Sequence, residues 1–372
     1  MRDFDLVVYG ATGFTGRQTL RVLQQRAPEL RIAAAGRNPE KLEALGGPFI
    51  VADSGDPDSV RAMVARARVL VSTAGPFGRY GDPVVDACVA EGTHYCDITG
   101  ETPWVRGVID RLHESAVKAG VRLVPFCGFD SVPSELGALL AVQAFGPREF
   151  TGFMKIAGGG LNGGSLASAL NMAEAYPRST MANPFLLNPN PKVSRETWKE
   201  HADPTAPLTR SGLWGSPWVM GPINTRVVRR SAALLAYGEG FTYQELQEQK
   251  NSRTAWQWTM GLGAAVGLLG KPWGRRIIRR VGPEPGDGPT EEQMERGFAR
   301  LRVVCNEGRV TWTAQGDAGN RITCSILAEC ALMLAEELTT PCGVVTPSVA
   351  FGLPLVERLQ AQGHLFETTR PD

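Results

Sequence analysis

Clustered metal ligands and paired thiols are what this chain lacks first. Its 372 residues include only four histidines and seven scattered cysteines, with no C-x-x-C pair and no Cys/His cluster. That excludes a zinc site of the usual kind, so no metal is expected, and it suits reduced thiols in a cytosolic protein. Charge of one sign is lacking too. Thirty-nine Lys and Arg against 38 Asp and Glu leave a formal net charge of +1, which gives the whole protein no electrostatic bias toward nucleic acid or membrane. No nucleic-acid recognition motif is present either, so nucleic acid is not an expected partner. Nothing at the N-terminus resembles a signal peptide, because a strand pattern starts almost at once. The apolar run Trp256 to Leu269 is 14 residues long, with Gln257 its one strongly polar member. A membrane span needs about 20 such residues. What remains is an ordinary globular composition, 43% hydrophobic and 21% charged, with enough chain for two domains.

The most informative stretch is Gly10-Ala11-Thr12-Gly13-Phe14-Thr15-Gly16. It follows the apolar run Leu6-Val7-Val8-Tyr9, which reads as a strand, and precedes a helical pattern carried by Leu20, Val22 and Leu23. A glycine-punctuated turn between a strand and a helix is how a Rossmann fold receives a dinucleotide. One glycine makes the tight turn, another lets backbone approach the pyrophosphate, and the third lets helix and strand pack closely. The helix N-terminus then holds the phosphates. The spacing Gly-x-x-Gly-x-x-Gly is one residue wider at the front than the usual fingerprint.

A second strand, Arg31 to Ala35, ends in Gly36-Arg37. An NAD-binding domain usually places an acid there for the ribose 2′-hydroxyl. Arg37 instead offers a guanidinium that can fork onto a 2′-phosphate and stack on adenine, so the expected cofactor is NADP(H). Strand and helix patterns go on alternating to about residue 130: strands at 49–52, 69–73, 95–98 and 121–125, with helices opened by Asp56-Pro57 and Asp82-Pro83 and a long one over about 101–119. This predicts an α/β fold with a doubly wound parallel sheet, its ligand lying beyond the carboxyl ends of the strands. There, Asp53 is placed to reach the adenine, and Thr73-Ala74-Gly75-Pro76-Phe77-Gly78 to pass the ribose and nicotinamide. Cys96 and Cys127 lie near strand ends, facing the cofactor or serving as small buried packing residues. Asp130 and Ser131 open another helix, as caps or as substrate contacts.

From about 148 the texture changes. Residues 150–157 read as a strand, and a glycine-rich loop over 158–165 opens a helix of small and apolar residues. Gly164 and Ser165 at such a helix start can hold a carbonyl or carboxylate of a substrate, or belong to a flexible connection. Residues 177–225, rich in Pro, Trp and Asn with little periodicity, suit a lid or substrate wall. In the stretch 256–280 the apolar run is followed by Lys271, Arg275, Arg276, Arg279 and Arg280, interleaved with Trp273, Ile277 and Ile278. Apolar residues beside basic ones suit peripheral contact with a membrane; burial against the second domain or a partner subunit is the alternative. A Pro/Gly linker over 282–289 precedes strands near 301–304 and 310–312 and a helix from about 322 to 337.

Together these residues resemble the saccharopine dehydrogenase-like oxidoreductases, and within them the trans-acting enoyl reductases of actinobacterial lipid and polyketide assembly. The resemblance rests on residues 8–16, on Ala35-Gly36-Arg37, on Gly75-Pro76-Phe77 with Gly81, and on Tyr95-Cys96-Asp97-Ile98-Thr99-Gly100-Glu101. It continues through residues 128–134, Val227-Val228-Arg229-Arg230-Ser231 and Gly343-Val344-Val345-Thr346-Pro347. It implies a C-terminal segment that packs back on the Rossmann domain. The expected layout is therefore a Rossmann domain over 1–130, an inserted α+β substrate or dimerisation domain over 131–319, and a returning segment over 320–372.

The expected reaction is hydride transfer from NADPH to an activated C=C bond of a lipid or polyketide-like substrate. Backbone N–H groups near Gly164-Ser165 or Ser131 would support the enolate oxygen. Tyr80, Tyr95 and Asp97 are the candidate proton donors, with water a fourth. Two alternatives stand beside it: reduction of an imine or carbonyl, as in the saccharopine branch proper, and a non-catalytic NADP-binding scaffold associated with lipid. No arginine constellation matches an amino-dicarboxylate pocket, and the apolar middle domain suits a greasy small molecule, free or carrier-bound. A homodimer is the ordinary expectation for an oxidoreductase of this kind.

Overall fold

The computed structural model describes residues 2–158, 163–282, 288–336 and 339–370. The glycine-rich loop at 159–162 and most of the linker after 282 thus lie outside the described residues. The first half alternates as its sequence pattern predicts: β1 (Phe4–Tyr9), α1 (Phe14–Arg26), β2 (Ile32–Gly36), α2 (Pro39–Glu43), β3 (Phe49–Val51), α3 (Pro57–Ala65), β4 (Ala67–Ser72), α4 (Phe77–Tyr80), α5 (Asp82–Glu91), β5 (His94–Asp97), α6 (Thr102–Lys118), β6 (Arg122–Val124) and α7 (Val132–Phe145). Local signals explain several of these ends. The Asp56 side chain accepts the N–H groups of Asp58 and Ser59 with Pro57 at the first helical position, so α3 starts there. Gly92, at φ 68°, ends α5 in the left-handed conformation that glycine tolerates.

The second half runs β7 (Glu149–Ala157), α8 (Gly163–Ala175), α9 (Arg178–Ala182), α10 (Arg195–Glu200), β8 (Leu208–Arg210), β9 (Leu213–Pro217), α11 (Gly221–Leu234), β10 (Thr242–Gln249), α12 (Ser252–Leu269), α13 (Pro272–Val281), α14 (Glu291–Glu295), β11 (Phe298–Cys305) and β12 (Gly308–Gln315). A π-turn over Ala318–Ile322 leads into α15 (Thr323–Leu334), β13 (Gly343–Val344), α16 (Pro347–Ala361) and β14 (Leu365–Thr369).

Among the described residues the strands form two seven-stranded sheets. The first is parallel throughout, in the order β13-β6-β5-β4-β1-β2-β3. This is the doubly wound arrangement, with the nucleotide crevice at the switch between β1 and β4. One face is covered by α3, α5 and α6, and the other by α1 and the almost entirely buried α15. The second sheet is mixed, in the order β14-β12-β11-β7-β10-β9-β8, with only β7 and β10 parallel. Helix α7 is apolar on nearly every side because it is enclosed, touching β11 and β12 along with α11 and α16.

The C-terminal segment divides between the sheets. α15 and β13 return to the parallel sheet, but β14 pairs with β12 at the edge of the second one, Trp312 opposite Phe366. The expectation that all of 320–372 packs on the Rossmann domain is therefore corrected for its last strand, because the free edge of β12 offers a ladder of unpaired backbone groups.

Helix α11 explains how an irregular stretch stays in place. Three buried arginines on it donate to backbone carbonyls: Arg226 to Asn183, Met181 and Pro222; Arg229 to Pro184, His201 and Tyr243; Arg230 to Leu187 and Val344. Carbonyls of a loop without regular structure need such donors when enclosed. Residues 181–187 and His201 are thus anchored, and the cavity wall comes from the later part of the segment, Trp218 to Ile223.

Candidate active site

Two adjoining cavities open at the carboxyl ends of the parallel strands. One, of about 370 Å³, is lined by Gly10, Thr12, Gly13, Phe14, Thr15 and Gly16 from the first turn, by Arg37 after β2, by Asp53 after β3, and by Thr73, Ala74, Gly75 and Pro76 after β4. Of the residues expected at a dinucleotide, all but Phe77 and Gly78 line it. The glycines are sterically required. A Cβ on Gly16 would lie 2.2 Å from the Gly10 carbonyl oxygen, and one on Gly10, where φ is +82°, would come within 2.9 Å of both the Ala74 nitrogen and the Thr73 hydroxyl. The cradle is therefore shaped by bare backbone, as a pyrophosphate needs. Arg37 is exposed at its rim with no carboxylate paired to it among the described residues, and the position after β2 carries no acid. The residues present fit NADP(H).

The second cavity, of about 460 Å³, shares Thr15, Thr73, Gly75 and Gly164 with the first. Its walls are apolar: Phe77, Ile98, Phe129, Ile156, Met172, Trp218, Met220 and Ile223. Among the described residues no lysine or arginine lines it, and its carboxylates are Asp130 and Asp317. Asp317 is wholly buried and committed to the turn that follows it, accepting the N–H groups of Asn320 and Arg321 and the Asn320 side chain. Asp130 is different. Its carboxyl has no ion-pair partner or hydrogen bond among the described residues, and burial pushes its pKa up to about 6. It does not cap α7; Ser131 occupies the cap position, without a side-chain cap bond.

Helix α8 separates the cavities. Gly164 and Ala167 line the nucleotide side, and Ser165, Ser168, Ala169 and Met172 the apolar side. Its first turn, with Gly164 and Ser165, stands where a helix N-terminus favours developing negative charge.

Other expectations are corrected. Tyr95 and Asp97 alternate along β5 and so share one face, buried beneath the sheet's end, and neither lines a cavity. The Tyr95 hydroxyl donates to Asp97 Oδ2 at 2.8 Å, while Asp97 Oδ1 accepts from the N–H groups of Thr99 and Phe126. This is a node that ties β5 to the loop after β6, not a proton donor facing a substrate. Burial raises the Asp97 pKa to about 7. Ser131 is likewise buried, its hydroxyl 3.5 Å from Asn224 Oδ1. Cys96 and Cys127 are buried packing residues that line neither cavity. Tyr80 alone of the three candidate donors reaches a cavity wall, on the nucleotide side.

Glu101 adds a link between the site's elements that its sequence position does not single out. It is fully buried, yet its Oε1 accepts the N–H of Phe77 at 2.7 Å and its Oε2 the N–H of Gly78 at 3.1 Å. Asn171 of α8 donates to the same Oε2 at 3.0 Å. One carboxylate thus joins the start of α4, directly after the cavity-lining Gly75 and Pro76, to the helix between the cavities. Its signal was present as the last residue of Thr99-Gly100-Glu101, where an acid before a helix reads as an ordinary terminus.

Comparison with known proteins agrees with this geometry. Residues 6–124 match the model of the saccharopine dehydrogenase NADP-binding domain. A Mycobacterium tuberculosis protein named as a trans-acting enoyl reductase is 36% identical over 99% of this chain and 98% of its own length. The trans-acting enoyl reductase of Mycobacterium ulcerans is 34% identical with the same coverage. Among solved structures, saccharopine dehydrogenase (L-Glu forming) from Saccharomyces cerevisiae covers 99% of this chain and 100% of its own at a TM-score of 0.58 and 13% identity, a likeness of fold. The chain is an NADP-binding protein of the saccharopine dehydrogenase-like oxidoreductase family, on its trans-acting enoyl reductase branch.

Proposed function

We propose that the protein uses NADPH to reduce an activated C=C bond in an apolar, enoyl-type substrate. The observation that carries this reading is the pair of joined cavities, one a glycine-lined cradle that fits a nucleotide and the other apolar and without a cation among its described lining residues. An amino-dicarboxylate would need cationic partners for its carboxylates, and the apolar cavity has none among its described lining residues. This favours the enoyl reading over saccharopine-type imine chemistry.

NADPH supplies the hydride when bound. The chain's residues do the rest. The apolar wall from Phe129 to Ile223 holds the acyl chain and excludes water from the junction at Thr73 and Gly75. The first turn of α8 stabilises negative charge on the thioester oxygen. Asp130, kept largely protonated below pH 6 by its surroundings, is the proposed donor of the proton to the α-carbon. Purified protein incubated with NADPH and a 2-enoyl thioester should oxidise NADPH and yield the saturated thioester. NADPH consumed only with imines or ketones would contradict the reading, and tight binding without turnover on any acceptor would favour a scaffold.

A further inference from the structure

Helices α12 and α13 form a hairpin whose outward side is unlike the rest of the surface. Trp256, Trp258, Met260, Val266 and Leu268 on α12, and Trp273, Ile277 and Val281 on α13, are each between 38% and 79% exposed. Of the residues in these two helices only Ala255 and Gly274 are buried. On α13 the exposed apolar residues recur every fourth position, so they form one stripe along the helix. Arg276 and Arg280 flank that stripe, both exposed and without a carboxylate partner among the described residues. From 252 to 281 the sequence holds six cations and no Asp or Glu. No described helix is long and apolar enough to cross a membrane.

We propose that this hairpin docks the protein on an anionic lipid surface, lying in the interface with its Trp and aliphatic side chains inserted and Arg276 and Arg280 on the headgroups. The combination of exposed tryptophan, aliphatic area and cations of one sign is what an interfacial helix requires. A second copy of the chain is the poorer occupant: a two-fold contact would set Arg276 and Arg280 against a like-charged hairpin with no Asp or Glu of its own to pair them. The hairpin is also wired to the site. Glu174, on α8, pairs with Arg275 at 3.4 Å and Arg279 at 2.8 Å, and α12 packs on β9, whose continuation Trp218-Val219-Met220 lines the apolar cavity. Lipid contact would therefore occur beside the wall that receives the substrate. The docking stands apart from the reaction; it holds whatever acceptor the protein reduces.

The test is flotation of the purified full-length protein with vesicles of phosphatidylcholine alone or with about one-third phosphatidylglycerol. Flotation with the anionic vesicles is expected, weakened by salt and reduced by at least about tenfold in R276E/R280E, since each cation near such a surface contributes to binding. W273A/I277S should weaken it comparably by removing the inserted groups. NADPH binding, read by fluorescence, should be unchanged in both variants, which shows them folded. A wild-type protein that stays in the soluble layer with both vesicle types overturns the proposal. So does partition that neither double variant changes. A stable dimer that W273A/I277S dissociates, with no vesicle binding, assigns the face to a second copy instead.

Discussion

The Glu101 carboxylate holds the Phe77 amide at 2.7 Å although 24 residues separate them in the chain. Through that bond, the segment after β5 supports the loop after β4, whose Gly75 and Pro76 line the glycine-rich cavity. Glu101→Ala should leave two enclosed N–H groups without partners, a loss of roughly 2–6 kcal/mol by the penalty for each unsatisfied buried group. Thermal unfolding should show the drop, and NADPH affinity should weaken with it because Gly75 and Pro76 lose their support. A variant with wild-type stability and affinity would show that the loop holds itself.

Gly16→Ala tests the cradle. Its Cβ would be forced to within 2.2 Å of the Gly10 carbonyl, and the intruded atom is backbone, which cannot swing aside. Dinucleotide binding should fall by at least about a hundredfold, in keeping with the several kcal/mol that such overpacking costs. Isothermal titration with NADPH reads the effect.

Arg37→Ala should remove the preference for NADPH over NADH. A guanidinium on a phosphate is worth about 1.5–3 kcal/mol as a charge-assisted pair, so the NADPH dissociation constant should rise roughly ten- to a hundredfold while that of NADH barely moves. Equal weakening of both nucleotides would assign Arg37 to adenine stacking instead.

Asp130→Asn keeps the shape of the wall and removes the proton. If Asp130 is the acid, kcat should fall by about 10²- to 10⁴-fold with little change in KM. In the unaltered enzyme kcat should decline as pH rises through about 6, where the carboxyl ionises, and this limb should vanish in the variant. The pH profile separates the acid from a mere wall residue.

Glu135 predicts a pH dependence of stability. It is enclosed between α7, α11 and α16, accepting hydrogen bonds from Ser231 and Ser348, and burial lifts its pKa from 4.5 to about 7. A raised carboxyl pKa favours the folded state while the group is protonated. Its contribution is therefore full below pH 4.5 and is lost as pH rises through about 7, a span worth roughly 3 kcal/mol. Glu135→Gln should flatten the unfolding free energy across that interval in denaturant titrations. An unchanged slope would place the pH dependence elsewhere, for example at Asp97.

The parallel sheet and its nucleotide cradle were legible because their signals are local. Apolar runs alternate with capped helices, and glycines sit where backbone must approach backbone. The second sheet was harder to see. β10 reads Thr-Tyr-Gln-Glu-Leu-Gln-Glu-Gln, a polar string whose burial depends on partners far away: Glu245 on it accepts hydrogen bonds from Ser134, Asn224 and Tyr243. The short strand β14 is settled only by the open edge of β12. Tyr95 and Asp97 misled for a related reason. Both stand near the carboxyl end of a strand, but the pleat turns their shared face into the protein. Asp130 and Glu101, by contrast, belong to segments that resembled the family. What the sequence could not convey was that one carboxyl would stand alone on a cavity wall and the other would be saturated with donors.

The most direct test of joined cavities serving one reduction is isotope tracing with NADPH deuterated at the transferable C4 position and a 2-enoyl thioester. Deuterium at the β-carbon of a saturated product, with the α-hydrogen drawn from solvent, is the predicted result. Deuterium at the thioester carbonyl carbon, or none transferred while NADPH is bound, would contradict it.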